Sequence, residues 1–207
     1  MALPGHKVKI GVTGDPVSFP TELELERITD TEWKIPDETK QVVDRETDPI
    51  LEKDDGEGNW EEISYKKVKR LEGVFLFDGD GYDDTETIRI KSGKYYPMST
   101  AAYAHQYDLN RGAELLQVPK FDSEFMKRIK DVKFASGTIS KWDVADDTFK
   151  DALIDDKIKV VEIKPSPESN PIRLWAIIEQ DEMTAEINSP QDEVVSFVST
   201  EELLNLS

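Results

Sequence analysis

The chain contains no cysteine in its 207 residues. That excludes a disulfide scaffold, a thiol nucleophile and a thiolate metal site. Histidine is nearly as scarce. His6 and His105 are the only two, too few for a multi-histidine metal centre. No apolar run approaches the ~18 residues needed to span a bilayer. The opening Met-Ala-Leu-Pro-Gly-His lacks an apolar core, so no secretory leader is expected. Basic residues are also in deficit: 26 Lys and Arg stand against 44 Asp and Glu, a formal charge of −18. Phosphate affinity comes from Lys and Arg, so this balance speaks against gripping nucleic acid. It suits an ordinary acidic soluble protein, and equally a conduit along which DNA slides without sticking. The charge is spread evenly, −9 over residues 1–98 and −9 over 99–207, so there is neither an acidic tail nor a basic arm.

Four Trp, six Tyr and eight Phe, spread along the chain, supply apolar anchors and argue for a folded protein. The first half reads as short strands. Val8, Ile10 and Val12 alternate with Lys7, Lys9 and Gly11, which is period two. Further strands are expected around Trp33–Ile35, Val42–Val43, Ile50–Leu51, Ile63–Val68, Gly73–Phe77 and Ile88–Ile90, separated by Gly, Pro and Asp turns. In the second half, residues 99–107 read as extended. Phe121–Lys130 reads as a short helix, since Phe125 and Ile129 stack at i, i+4 behind Asp122 or Ser123 as cap. Residues 132–142 read as a strand with a bulge at Gly137, and Val144–Ile154 as a second helix with Ala145, Phe149, Ala152 and Leu153 on one face. Strands follow over 157–164, 173–179 and 194–198. The expected fold is mainly β, a sandwich or barrel with two short helices. Residues 1–97 form an N-terminal β-rich module or elaboration and 98–207 a second β-sandwich, unless both are one continuous β structure.

Three constellations invite a chemical reading. Asp78, Asp80, Asp83 and Asp84 gather carboxylates around two glycines, as a Ca²⁺ loop would. The spacing departs from the helix–loop–helix calcium pattern, because Tyr82 and Arg89 occupy ligand positions. A plain turn between Phe77 and Ile88 explains the same residues, so no metal or other cofactor is assigned. Lys66, Lys67, Lys69 and Arg70 form the basic run of the chain. They suit the guard of an edge strand, or a contact with an acidic neighbour in a self-associating protein. His105 and His6 lack any partner signature for acid–base work. No nucleophile elbow, phosphate loop or dinucleotide fingerprint occurs, so no enzyme is expected.

The order of several loose motifs resembles a known family. Thr31, Trp33, Ile35, Pro36 and Asp37 are followed by Val42-Val43-Asp44 and Thr47-Asp48-Pro49-Ile50. Then come Tyr65, Val68 and Leu71-Glu72-Gly73-Val74-Phe75-Leu76-Phe77, Gly93-Lys94-Tyr95-Tyr96-Pro97-Met98, Val118–Phe121 and Ser136-Gly137-Thr138-Ile139-Ser140-Lys141-Trp142. This series resembles the tail tube (major tail) proteins of long-tailed bacteriophages over most of residues 8–199. The resemblance implies a tail-tube β-sandwich that assembles as stacked rings, typically hexameric, around a lumen through which DNA passes. It implies a virion location after synthesis in the host cytoplasm, other tail proteins as partners, no membrane, and no catalytic residues. The basic run, with Leu3, Leu203, Leu204 and Leu206 in the terminal segments, would then supply subunit contacts. Other readings are a different virion β-sandwich, such as a baseplate hub or tail-to-head connector subunit, a surface adhesin domain, and a Ca²⁺-binding ligand-recognition module.

Overall fold

A computed structural model describes residues 8–54, 56, 58–79, 81–82, 85–118, 127–142, 151, 158–166, 168–184 and 192–200. They are mainly β and antiparallel. The strands are β1 (Val8–Thr13), β2 (Val17–Ser18), β3 (Leu23–Glu24), β4 (Glu26–Thr29), β5 (Glu32–Lys34), β6 (Ile50–Asp54), β7 (Trp60–Ile63) and β8 (Lys67–Lys69). They continue as β9 (Val74–Leu76), β10 (Ile88–Ser92), β11 (Lys94–Tyr95), β12 (Met98–Val118), β13 (Lys127–Trp142), β14 (Lys159–Lys164), β15 (Ile172–Thr184) and β16 (Asp192–Ser199). The chain divides into two compact units. One comprises residues 1–12 and 100–207, the other 13–99.

The first unit is a closed barrel in the order β1-β12-β13-β16-β15-β14. Period two places alternate side chains inside. Ile10 and Val12, Val161 and Ile163, Leu174, Ala176 and Ile178, and Val195 and Phe197 fill it together with Ala135 and Ile139. Gly137 makes the closure possible. A methyl group there would stand 2.3 Å from the Asp108 carbonyl oxygen and 2.8 Å from Phe197 Cζ. The register runs unbroken through Gly137 to both neighbours, so the expected bulge is not formed and the glycine serves close approach instead. The opposite faces of β14 and β15 are buried as well, at Val160, Glu162, Arg173 and Trp175.

Residues 8–12 belong to this barrel rather than to the segment that follows them, because Lys9 to Val12 pair with Lys164 to Val161. Sequence alone places them with the N-terminal module. Pairing with a strand so distant leaves no local mark, and a cut near residue 97 misses it. The expected helix over Phe121–Lys130 is also corrected where it is described. Lys127–Lys130 are strand, paired with Val118–Leu115. Residues 121–126 lie outside the described residues, as does the second expected helix except Asp151, which is helical.

The second unit contains two four-stranded sheets, β3-β10-β6-β7 and β4-β5-β9-β8, and a two-stranded pair, β11-β2. One apolar cluster serves both large sheets: Trp33, Phe75 and Phe77 meet Leu51, Ile88 and Ile90. Tyr65 packs edge-on against Phe75, and Tyr82 against Phe77. The unit is closed at its base where Gly14 N–H donates to the Pro97 carbonyl at 3.0 Å.

Candidate functional site

Strands β12 and β13, of 21 and 16 residues, are the longest of the barrel, ahead of β15 with 13. Their pairing runs from Ala104↔Lys141 to Val118↔Lys127. β16, by contrast, accompanies β13 only over Ser136–Trp142. Ala135 N–H still finds the Ser199 hydroxyl at 2.8 Å. Beyond that point, among the described pairings, residues 127–134 of β13 have β12 alone as neighbour. Among the described residues, the barrel therefore continues into a two-stranded ribbon of β12 and β13. A two-stranded ribbon is marginal in water by itself, and an open edge is a template for another chain.

Among the described residues, side chains fill the interior of the barrel as in other small barrels. A conduit would have to be enclosed by several copies rather than threaded through one.

The second unit presents two more edges. β3 and β4 are separated only by Leu25, so residues 23–29 run along one edge of both large sheets. β7 and β8 likewise occupy the opposite edges of the same two sheets. On the first edge Leu25 is buried, while Glu22, Glu24 and Glu26 are exposed and Ile28 is 50 % exposed. Sequence reading passed over this segment, although the alternation of Glu with Leu from Glu22 to Glu26 is a period-two signal.

The basic run lies on the second edge, as an edge guard would. Lys66 pairs with Asp78 at 2.8 Å and Lys69 with Glu32 at 3.2 Å. Arg70 turns inward to Asp48 and to the Asp44 carbonyl. Lys67 is exposed on β8. Among the described residues, Glu24, Glu26 and Lys67 enter no ion pair. The acids of β7 are matched by their neighbours: Glu62 receives Lys91 at 2.5 Å, and Glu61 stands opposite Lys53.

Of the four carboxylates considered for calcium, Asp78 is the one described, and it faces Lys66. Asp80, Asp83 and Asp84 lie outside the described residues, as do Leu3, Leu203, Leu204, Leu206 and His6; His105 is placed in β12. Other titratable groups serve the local fold. Asp37 caps the short 3-10 turn Glu38–Lys40 by accepting from Thr39 N–H at 3.0 Å. Hydrogen bonds from Lys40 and Thr39 hold its carboxyl down at about 2. Asp44 is buried, which raises its pKa, but hydrogen bonds from Thr47, the Glu46 amide and Tyr96 outweigh that and lower it. Burial first, and then the Asp44 charge, pushes the Tyr96 hydroxyl up.

Comparison with known proteins gives a sparse result. No family model matches the chain, and no curated protein matches it. Among solved structures, it is similar to a chain of the tail of an empty gene transfer agent particle, of C6 symmetry. The identity is 14 %, the TM-score 0.42, and the match covers 54 % of this chain and 87 % of that one. It is also similar to a chain of the virion of a native gene transfer agent particle, at 14 % identity and TM-score 0.40, covering 50 % and 84 %.

Proposed function

We propose that this protein is a structural subunit of a phage-like particle, specifically a tail tube protein whose copies form stacked rings, six to a ring, around a channel for DNA. The observation that carries the reading is the ribbon of β12 and β13, which among the described residues runs on beyond the pairing with β16. In a ring, that ribbon would pair with a neighbouring strand of the next copy. The order of the sequence motifs quoted above supports the same reading. So does the charge. With 44 acids to 26 bases, an inner wall of net negative sign lets DNA pass without a ladder of Lys and Arg to hold its phosphates. The terminal segments, with Leu3, Leu203, Leu204 and Leu206 as anchors, would lie across a neighbouring subunit. Other tail proteins would meet the ends of the tube.

Negative-stain microscopy of the purified full chain tests the reading. Rings or open-ended tubes are expected, with contacts burying well over ~1,000 Å² each. A monodisperse monomer at every concentration tried would defeat it. Particles with a closed or capped ring and no stacking would favour a connector or hub subunit instead.

A further inference from the structure

The second unit carries an interaction surface of its own, made of two unlike edges. One is the segment 22–29, where Glu24 and Glu26 are exposed and stand opposite Arg89 and Lys34 without an ion pair to either. The other is the end of β8 with Lys66 and Lys67, where Lys67 is unmatched and the Lys66–Asp78 pair is largely in solvent. Within one sheet, β4 with Glu26 lies three strand spacings, or about 14 Å, from β8, while Glu24 lies on the adjoining β3 of the other sheet. Edge charges of this kind deter association between like edges. Acid facing acid repels, and base facing base repels. Acid facing base attracts. The charges therefore forbid a two-fold pairing of identical edges and favour a head-to-tail contact, which generates a closed ring or an open filament.

We infer that residues 22–29 of one copy dock against the Lys66–Lys67 edge of the next copy, so that the second units form a continuous belt. Ile28 supplies an exposed apolar residue on the acidic edge, bordered by the charges that set the partner. The contact is one of side chains rather than a continued β-ladder, because the register of β4 shifts between Arg27 and Thr29 and so blunts its outer edge. The inference deepens the ring reading above and rests on it for the number of copies, while the contact itself can be tested separately.

Two variants of the full chain reverse one edge each: Glu24→Lys with Glu26→Lys, and Lys66→Glu with Lys67→Glu. All four positions are exposed, and the reversals set Lys opposite Arg89 and Lys34 or Glu beside Asp78, so thermal melts should fall by a few degrees at most while the fold is kept. Each variant alone is expected to raise the critical concentration for assembly at least about tenfold, and the chain carrying both pairs to recover to within about threefold of wild type. Carbodiimide treatment of mixed isotope-labelled and unlabelled wild-type copies should link Lys67 of one chain to Glu24 or Glu26 of another. Rings that form normally from both single-edge variants would overturn the belt while leaving the tube reading intact. If the wild type forms no rings at all, the tube reading fails, and the cross-link alone decides: its presence upholds the edge contact and its absence removes it.

Discussion

Glu162 and Arg173 stand directly opposite each other on β14 and β15, with Arg173 Nε donating to Glu162 Oε2 at 2.7 Å and both side chains under a tenth exposed. They lie on the face opposite the barrel core, alongside the buried Val160 and Trp175. A buried ion pair of this kind is costly to break and inexpensive to replace. Arg173→Met leaves a carboxylate buried without its partner and should cost about 3–5 kcal/mol, whereas Glu162→Leu with Arg173→Met should fall near neutral. Urea titrations of the two variants check this. Equal destabilisation by both would show that the side chains, and not the unpaired charge, carry the effect.

Gly137 gives a sharper steric test. Alanine there must displace backbone at Asp108 and the ring of Phe197, which is fully packed in the core. Gly137→Ala should destabilise the barrel by about 1–3 kcal/mol. Phe197→Leu in the same chain relieves the ring contact and should recover part of the loss, leaving the backbone share. Melting temperatures that do not move with Gly137→Ala would mean that the strands separate freely at that point.

Asp37 predicts an acid-sensitive step. Its carboxyl titrates near 2 in the folded chain against an ordinary 3.8, so the folded state binds its proton less readily. The contribution is then complete above about pH 4 and drains away as the pH falls through 2. The partner Lys40, whose ammonium is favoured by the hydrogen bond to Asp37, stays charged throughout that window. Asp37→Asn should lower the melting temperature at pH 5 and make little difference at pH 2. A gap between the two proteins that is the same at both pH values would contradict the assignment.

The ribbon separates folding from assembly. Removing residues 113–133 and joining Gly112 to Phe134 through Asn-Gly keeps every pairing of β13 with β16. The shortened chain should melt within a few degrees of the wild type and form no stacked tubes in the microscope. Tubes of normal length from this variant would remove the ribbon from the assembly contact.

Much of the fold was legible where burial is one-sided and short in range. Val8 to Val12, Val74 to Phe77 and Ile88 to Ile90 announce themselves by alternation or by a brief apolar run, and each lies in a strand or runs just beyond one, with buried residues. The length of β12 was not legible. The extended stretch expected over 99–107 runs on through Asn110-Arg111-Gly112, because Ser136, Ala135 and Phe134 of β13 pair with those residues. The same long-range pairing turned Lys127–Lys130 from an amphipathic helix end into strand. Of the candidate site, the basic run was visible as a run. Its acidic counterpart was hidden, because Glu22, Glu24 and Glu26 acquire meaning only once topology puts them on the edge opposite Lys67.

The placement of β1 also sets a clock for synthesis. Lys9 leaves the ribosome before the second unit, but its partner Lys164 follows only after the whole second unit has been made. At ~5–20 residues per second, the stretch from residue 99 to 164 takes roughly 3–13 s. During that interval the inserted unit has all its own strands and can fold, while the barrel still lacks β14, β15 and β16. The nascent chain can thus complete its inserted unit, with both of that unit's edges, before it owns a barrel.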